Sequence, residues 1–257
     1  MLDTALRGVD VSAYQGTIDW RAAARDGIRF AMLKATQGRL LANPDLRNFT
    51  DSRFYENVMG ATEAGVACGA YHYLTAVNAS EAVQEAEVFL SAVSHYKNRL
   101  TLGAAVDVED SRLPRNKEVL TGIVRAFCRR VQSAGFSVMV YTNPDFLRNR
   151  LGDLSAFGLW LALWRDPALL PTELMYPNLR IWQWGTAAVD GIIGRPDANI
   201  GAADLLKRRE PVIDYADEVQ RRAGLADTTM QYLAAYRYGA DLLRKLYEAM
   251  IGKKREE

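Results

Sequence analysis

Short apolar segments alternate with helical patterns along the first two-thirds of the chain. Five of these segments predict β-strands, at 7–14, 29–36, 67–74, 101–109 and 137–142. Amphipathic patterns between them predict helices, for example at 20–26 and 54–64. Because strands that alternate with helices favour right-handed crossovers and a parallel sheet, we expect the sheet to close into a barrel at this chain length.

The pattern changes after this alternating region. Three more apolar runs, at 159–164, 179–184 and 189–201, are joined by proline-containing loops without a helical pattern between them. They predict three closing strands without long crossovers. The predicted fold class is therefore α/β, an irregular β/α barrel of about five β/α units followed by three β-strands.

The last fifty residues form a separate pattern. Thr228 and Gln231 fit a capping box, and an apolar stripe follows them at steps of three and four. We predict a barrel domain at 1–205 and a small helical appendage at 206–257. The stripe is expected to dock within the chain, with self-association through this helix as an alternative.

The strand predicted at 101–109 is almost continuously apolar and ends in two carboxylates, Asp107 and Glu109. Residues i and i+2 of a strand share a face, which puts their Cα atoms roughly 6.6 Å apart. Two acids this close raise each other's proton affinity, which favours one protonated and one ionised partner, as in glycoside hydrolysis. The alternative is a strand end whose carboxylates cap a helix or bind arginine.

Two further acids are predicted near the same end of the barrel. Asp10 lies in the first strand and Asp197 in the last, and these strands are neighbours in a closed barrel. Aromatic residues also cluster at the predicted strand ends: Tyr14, Tyr71, Tyr73, Tyr141, Trp160, Trp164, Trp182 and Trp184. A groove lined with carboxylates and aromatic rings is suited to a sugar, although packing explains many of these rings individually.

Composition narrows the classes of partner. The 32 basic and 31 acidic residues nearly cancel, so we expect neither nucleic acid nor a membrane surface to be a partner. The two cysteines and two histidines show no metal-ligand spacing, and no metal or cofactor is predicted. The first residues show no signal peptide, and no apolar run is long enough to span a membrane, so we expect synthesis in the cytoplasm.

Seven segments occur in the order typical of one known family. They are GVDVSAYQGTIDW (8–20), FAMLKATQG (30–38), GAYHYL (69–74), AAVDVED (104–110), VYTNPDF (140–146), IWQWG (181–185) and VDGIIGRPDAN (189–199). Together they resemble the signatures of the glycoside hydrolase family 25 lysozymes, over about four-fifths of the chain. The family's fold is an irregular β/α barrel.

The resemblance implies N-acetylmuramidase activity, which cleaves the β-1,4 bond between N-acetylmuramic acid and N-acetylglucosamine in bacterial peptidoglycan. It implies that Glu109 is the general acid and Asp107 its assisting carboxylate, with Asp10 and Asp197 as further catalytic acids. The residues expected to contact substrate are Lys34, Tyr73, Tyr141, Gln183, Tyr14 and Trp184.

One position departs from the family pattern, because Gln37 stands where the family often has Glu. We expect this change to tune substrate affinity or pH dependence. A wall-lytic enzyme without a signal peptide also resembles phage endolysins, which reach the wall of Gram-positive cells after release by a holin. In that setting the C-terminal appendage is a candidate for wall binding. Two alternatives are a glycosidase of chitin-like polymers and a non-catalytic glycan-binding module.

Overall fold

The computed structural model describes residues 2–38, 50–169, 174–207, 215–226, 229–230, 232–233, 236 and 239–252. The chain divides into two compact units, Met1–Glu210 and Pro211–Glu257. In the part of the chain that is described, no helix is both long enough and apolar enough to cross a membrane.

The first unit is a closed barrel of eight strands that neighbour one another in chain order. Their bounds are β1 Leu2–Val11, β2 Ile28–Gln37, β3 Ala67–Tyr73, β4 Gly103–Asp107, β5 Val138–Thr142, β6 Gly158–Ala162, β7 Leu179–Thr186 and β8 Asp197–Ala202. The predicted α/β barrel is confirmed.

Strand β8 is the irregular member of the barrel. It pairs antiparallel with both β7 and β1, whereas β1 to β7 pair in parallel. A parallel crossover needs a dozen or more residues, and the segment 187–196 between β7 and β8 is too short for one. The chain therefore turns back as a hairpin, which places the start of β8 at the same end of the barrel as the end of β7.

Helices follow the first four strands. They are α1 Trp20–Arg25, α2 Phe54–Glu63, α3 Ala79–Val93 and α4 Lys117–Ser133. A five-residue π-helix, Phe146–Arg150, follows β5, and a short 3-10 helix, Pro167–Leu169, follows β6. The predicted plan of five β/α units and three closing strands is observed, with the fifth helix reduced to a single turn.

Side chains alternate between two cores along each strand. On β2, Phe30 and Met32 fill the barrel interior, while Ala31 and Leu33 pack on the outside. Trp160 of β6 also lies inside. Because the interior is filled, room for a site is expected at the carboxyl ends of the parallel strands, where loops surround an open mouth.

Strands β1 and β4 end earlier than predicted, and β8 begins only at Asp197, because 189–196 forms the connection from β7. Strand β1 ends at Val11, because Ser12 begins a 3-10 turn and its hydroxyl accepts a hydrogen bond from the Tyr14 backbone N–H over 3.2 Å. Strand β4 ends at Asp107, so Glu109 lies in the loop beyond it.

The second unit contains two described helices, α5 Tyr215–Ala223 and α6 Gly239–Gly252. The Tyr247 ring of α6 lies 5.5 Å from the Tyr215 ring of α5. Val219 and Leu243 are buried. Part of the predicted apolar stripe therefore packs within this unit, while Thr228 and Gln231, the predicted capping pair, lie outside the described residues.

Candidate active site

The four acids predicted from the sequence lie at the mouth of the barrel. Asp107 ends β4, and Val108 is buried in the outer core, so Asp107 and Glu109 on either side of it turn toward the mouth. Asp10 of β1 and Asp197 of β8 are Cα partners across the antiparallel pair. Closing the barrel with β8 thus brings together acids that are far apart in the sequence.

Asp107 is buried, and its Oδ1 atom has no hydrogen-bond partner. Burial raises the pKa of Asp107 well above its ordinary value, and the negative charge of Glu109 raises it further. The positive charge of Lys34 opposes both effects. A buried carboxyl oxygen without a partner is costly, so this atom is available to a group that enters the mouth.

Glu109 is exposed at the mouth. Partial desolvation raises its pKa, and the charge of Asp197 adds to this effect. Lys34 and a hydrogen bond with Tyr141 lower it. The net shift is upward, so Glu109 holds a proton at higher pH than an ordinary glutamate and can still reach a solvent-borne substrate.

Asp10 and Asp197 form a second carboxyl pair joined by a side-chain hydrogen bond. Burial and the charge of Asp197 raise the pKa of Asp10 to about 7. Burial also raises the pKa of Asp197. The Asp10 Oδ2 atom accepts from Asn199 Nδ2 over 2.7 Å and from Gln183 Nε2 over 3.1 Å, and both bonds oppose the increase.

The Gln183 side chain connects the two acid pairs. Its Nε2 atom donates to Asp10 and lies 3.4 Å from Asp197 Oδ2, while its Oε1 atom accepts from the Tyr141 hydroxyl over 3.2 Å. Tyr141 also hydrogen-bonds Glu109. A continuous chain of hydrogen bonds therefore runs from Glu109 to Asp10, which couples their positions.

Lys34 and Tyr73 lie beside the acids on the neighbouring strands. Lys34 Nζ is 5.3 Å from the centre of the Tyr73 ring and donates to Gln37 Oε1 over 2.9 Å. Tyr73 is the Cα partner of both Gln37 and Asp107. These contacts place a cation and an aromatic ring within the same mouth as Asp107.

Two predicted substrate contacts differ from expectation. Trp184 directly follows Gln183, which points inward, so its ring lies on the outer face and packs with the outer cluster. The prediction that Trp184 lines the mouth is wrong. Tyr14 lies in the turn after β1 and is 95% exposed, so it is at the rim rather than at a strand end.

Several residues of the site were not predicted. Asn199 contacts the acid network directly, and Asp110 accepts a hydrogen bond from Tyr73 while it pairs with Arg112. Trp164, one of the aromatic residues noted at the predicted strand ends, donates from its indole to Gln183. Asp51 accepts from the Ala13 backbone N–H over 2.8 Å and so fixes the turn that carries Tyr14. Among these unpredicted residues, only Asn199 gave a signal in the sequence, as a polar residue inside an apolar run.

A cavity of about 530 Å³ adjoins the acid network, because Asn199 is one of its lining residues. It is lined by residues of β1, β7 and β8 together with Pro167 and Ala168, and the four acids do not line it. Because the carboxyl groups with raised pKa values lie at the mouth, we assign the chemistry to the mouth. Among the described residues, no group of three or more His, Cys, Asp or Glu side chains is arranged to hold a metal ion.

The comparisons with known proteins agree with this geometry. The model of the glycosyl hydrolases family 25 matches residues 9–191. The autolytic lysozyme of Clostridium acetobutylicum is 30% identical over 81% of this chain, and the match covers 60% of its own length. This chain thus spans less than two-thirds of that relative.

Two solved structures share the fold. A bacterial lysozyme from Streptomyces coelicolor is 26% identical, with a TM-score of 0.63 over 78% of this chain and 94% of its own. The CTP1L endolysin is 23% identical, with a TM-score of 0.67 over 79% of this chain and 68% of its own. Since the family model covers most of the barrel, including Asp10, Asp107 and Glu109, the chain belongs to the glycosyl hydrolases family 25.

Proposed function

We propose that this protein is a peptidoglycan hydrolase that cleaves the β-1,4 bond between N-acetylmuramic acid and N-acetylglucosamine. Family membership and the name of the autolytic lysozyme relative support this substrate. The observation that carries the proposal is the contrast between Asp107 and Glu109. One carboxyl is buried with an unpartnered oxygen, and the other is exposed with a raised pKa.

In this proposal Glu109 is the general acid. Its proton passes to the glycosidic oxygen as the bond to the anomeric carbon breaks, so the leaving sugar departs as a neutral alcohol. Tyr141 is placed to support this step, because its hydroxyl can turn from Gln183 Oε1 and donate to the carboxylate that remains. The charge of Asp197 keeps the proton affinity of Glu109 high before the step.

Asp107 assists at the opposite side of the reacting carbon. Its free Oδ1 atom either orients the substrate's N-acetyl group, which then attacks the anomeric carbon, or activates a water molecule. The first course retains the anomeric configuration and the second inverts it. Proton NMR of the first product formed, before mutarotation, distinguishes these two courses.

Asp10, Asp197, Lys34, Tyr73, Tyr141 and Gln183 complete the proposed site. They supply hydrogen bonds and an aromatic face to the sugar that lies over the acids. Tyr14 is proposed as a more distant contact at the rim, where its exposed ring can stack on a sugar.

The biological setting is also a proposal. We propose that the protein acts as a phage or prophage endolysin on Gram-positive walls, made in the cytoplasm and released to the wall by a holin. The shared fold with the CTP1L endolysin supports this setting. Producing the chain inside a Gram-positive host should leave cells intact until a pore-forming agent is added, whereas export without an added leader would contradict the proposal.

The C-terminal unit is proposed to aid wall binding or self-association. Its described surface includes the exposed Tyr232, while Leu243 is buried. Full-length Tyr232→Ser should pellet less with purified walls or show a lower mass by light scattering. If neither the pelleting nor the mass changes, the helices have a purely structural role.

The direct test is product analysis. Purified Gram-positive peptidoglycan and chitin are incubated with the native chain and with Glu109→Gln, and the products are identified by mass spectrometry. Native protein should release fragments with reducing muramic acid ends from peptidoglycan alone, and Glu109→Gln should release few. Products from chitin alone would indicate a glycosidase of chitin-like polymers. Pelleting with the wall without cleavage would indicate a non-catalytic glycan-binding module.

A further inference from the structure

The amide groups beside Asp10 have their orientation fixed by two indoles. Trp160 Nε1 donates to Asn199 Oδ1 over 2.9 Å, and Trp164 Nε1 donates to Gln183 Oε1 over 3.1 Å. An indole N–H is a donor only, so each amide must present its oxygen to the indole. The NH₂ groups of Asn199 and Gln183 therefore face the carboxyl pair and donate to Asp10 Oδ2.

This arrangement restricts the protonation state of Asp10 and Asp197. If both were ionised, two facing charges about 4 Å apart would repel by about 4 kcal/mol even at an effective dielectric constant of about 20. If both were protonated, the negative charge that the two N–H donors favour at Asp10 Oδ2 would be absent. The state with one proton avoids the repulsion and keeps both donors satisfied.

We propose that Asp10 and Asp197 share one proton in the active enzyme, and that Asn199 and Gln183, oriented by Trp160 and Trp164, are the positioning residues that hold the pair in this state. The inference deepens the proposed function, since it assigns the charge of the site on which that function rests. The pair then carries a single negative charge and offers both a donor and an acceptor to a sugar hydroxyl.

The surroundings of the pair contain other groups that titrate. Asp107 and Glu109 face it from β4 and the loop beyond, and Tyr71 and Tyr141 face it from β3 and β5. Lys34 of β2 acts on Asp107 and Glu109. From β6 and β7 the pair meets the neutral network of Trp160, Trp164 and Gln183. Assignment of the shared proton therefore needs variants of the pair itself.

The test is a carboxyl titration by NMR on the full chain with ¹³C-labelled aspartate side chains, from about pH 3 to about pH 9. We expect a resonance with a midpoint near neutral pH that is absent in Asp10→Asn and moves to lower pH in Asp197→Asn, which keeps the burial and removes the neighbouring charge. The proposal is overturned if Asp10→Asn leaves this titration in place or if the midpoint in Asp197→Asn equals the native midpoint. This measurement requires no catalysis, so a failure of the muramidase assay alone would count only against the proposed function.

A matched pair of variants tests whether the Trp160 indole fixes the orientation of Asn199. Trp160→Phe frees Asn199 from its fixed orientation, so its hydrogen bond to Asp10 weakens and the midpoint of the pair should rise. Trp182→Phe removes an equally buried indole donor, which bonds the Leu163 carbonyl oxygen on the outer face over 2.7 Å. A rise of about one pH unit in Trp160→Phe, with none in Trp182→Phe, supports the positioning role. Equal midpoints in the two variants would refute it.

Discussion

Lys34 donates a hydrogen bond over 2.9 Å to Gln37, a neutral partner. The positive charge of Lys34 lowers the pKa of both Asp107 and Glu109. A carboxylate in place of the Gln37 amide would pair with Lys34 and cancel much of that effect. The glutamine at this position thus makes the acid pair more acidic than a glutamate would.

The first prediction concerns the variant Gln37→Glu. Because Glu109 acts in its protonated form, the alkaline limb of the pH–rate profile reports its pKa. The variant should move this limb upward by about 0.5 to 1 pH unit, since a weaker Lys34 field raises the pKa of Glu109. Gln37→Met is the control, because it changes the side chain without adding charge. An upward shift of the same size in both variants would contradict the electrostatic explanation.

A second prediction concerns the support of Tyr73. Asp110 is 5% exposed and accepts from both Tyr73 and Arg112. Asp110→Asn should loosen the Tyr73 ring and raise KM by about three- to tenfold, with a smaller change in kcat. The control is Arg112→Gln, whose side chain is 77% exposed in the native protein and whose ion pair should contribute little. A larger effect of Arg112→Gln than of Asp110→Asn would assign the role to the arginine instead.

The stability of the barrel should depend on pH with a definite sign. The pKa of Asp in an unfolded chain is about 3.9, whereas burial raises that of Asp10 to about 7. Between these values the folded state binds more protons than the unfolded state, so the free energy of unfolding falls as pH rises. The contribution of Asp10 to the free energy of unfolding is complete below about pH 4 and is lost as pH rises through about 7.

Denaturant unfolding followed by tryptophan fluorescence measures this effect, because all 5 tryptophans lie in the barrel unit. Asp197→Asn should reduce the fall in stability between about pH 4 and about pH 7, since it removes the charge that helps raise the pKa of Asp10. A slope in the variant equal to the native slope would show that the pair is not the source.

A fourth prediction tests the backbone at the start of β4. Gly103 has φ of +79°, and a Cβ atom there would collide with the hydroxyl and carbonyl oxygens of Ser137. Gly103→Ala should destabilise the barrel by at least about 2 kcal/mol. Gly122→Ala is the control: a Cβ atom at this α4 position meets nothing within 4 Å, and the change should stabilise by about 0.5 to 1 kcal/mol. Similar effects of the two changes would contradict the steric argument.

The sequence predicted the barrel because the apolar runs have the length and spacing of strands, and it predicted the acids because they end those runs. It did not reveal that β8 runs antiparallel, since a strand's direction depends on its connection and not on its own residues. The short segment 187–196 did carry that information. The sequence also contained the information that Trp184 faces outward. Adjacent residues of a strand face opposite sides, and Gln183, which precedes Trp184, was predicted to face the substrate.

The supporting residues were harder to predict. Asn199, Trp160 and Asp110 join the site through hydrogen bonds between strands that are distant in the sequence. A polar residue inside an apolar run, such as Asn199, was the one available signal. Its partners, Asp10 of β1 and Trp160 of β6, could be identified only from the closed barrel, in which these strands and β8 surround one interior.

The general-acid role of Glu109 is tested by comparing Glu109→Gln and Asp107→Asn on two substrates. On peptidoglycan, whose leaving sugar needs a proton, both variants should lose about two or more orders of magnitude in kcat. On an aryl glycoside of an N-acetylglucosamine–N-acetylmuramic acid disaccharide, in which the N-acetylmuramic acid carries the aryl group and the phenolate leaves unprotonated, Glu109→Gln should recover most of the native rate while Asp107→Asn stays impaired. If Glu109→Gln cleaves peptidoglycan at the native rate, Glu109 is not the general acid.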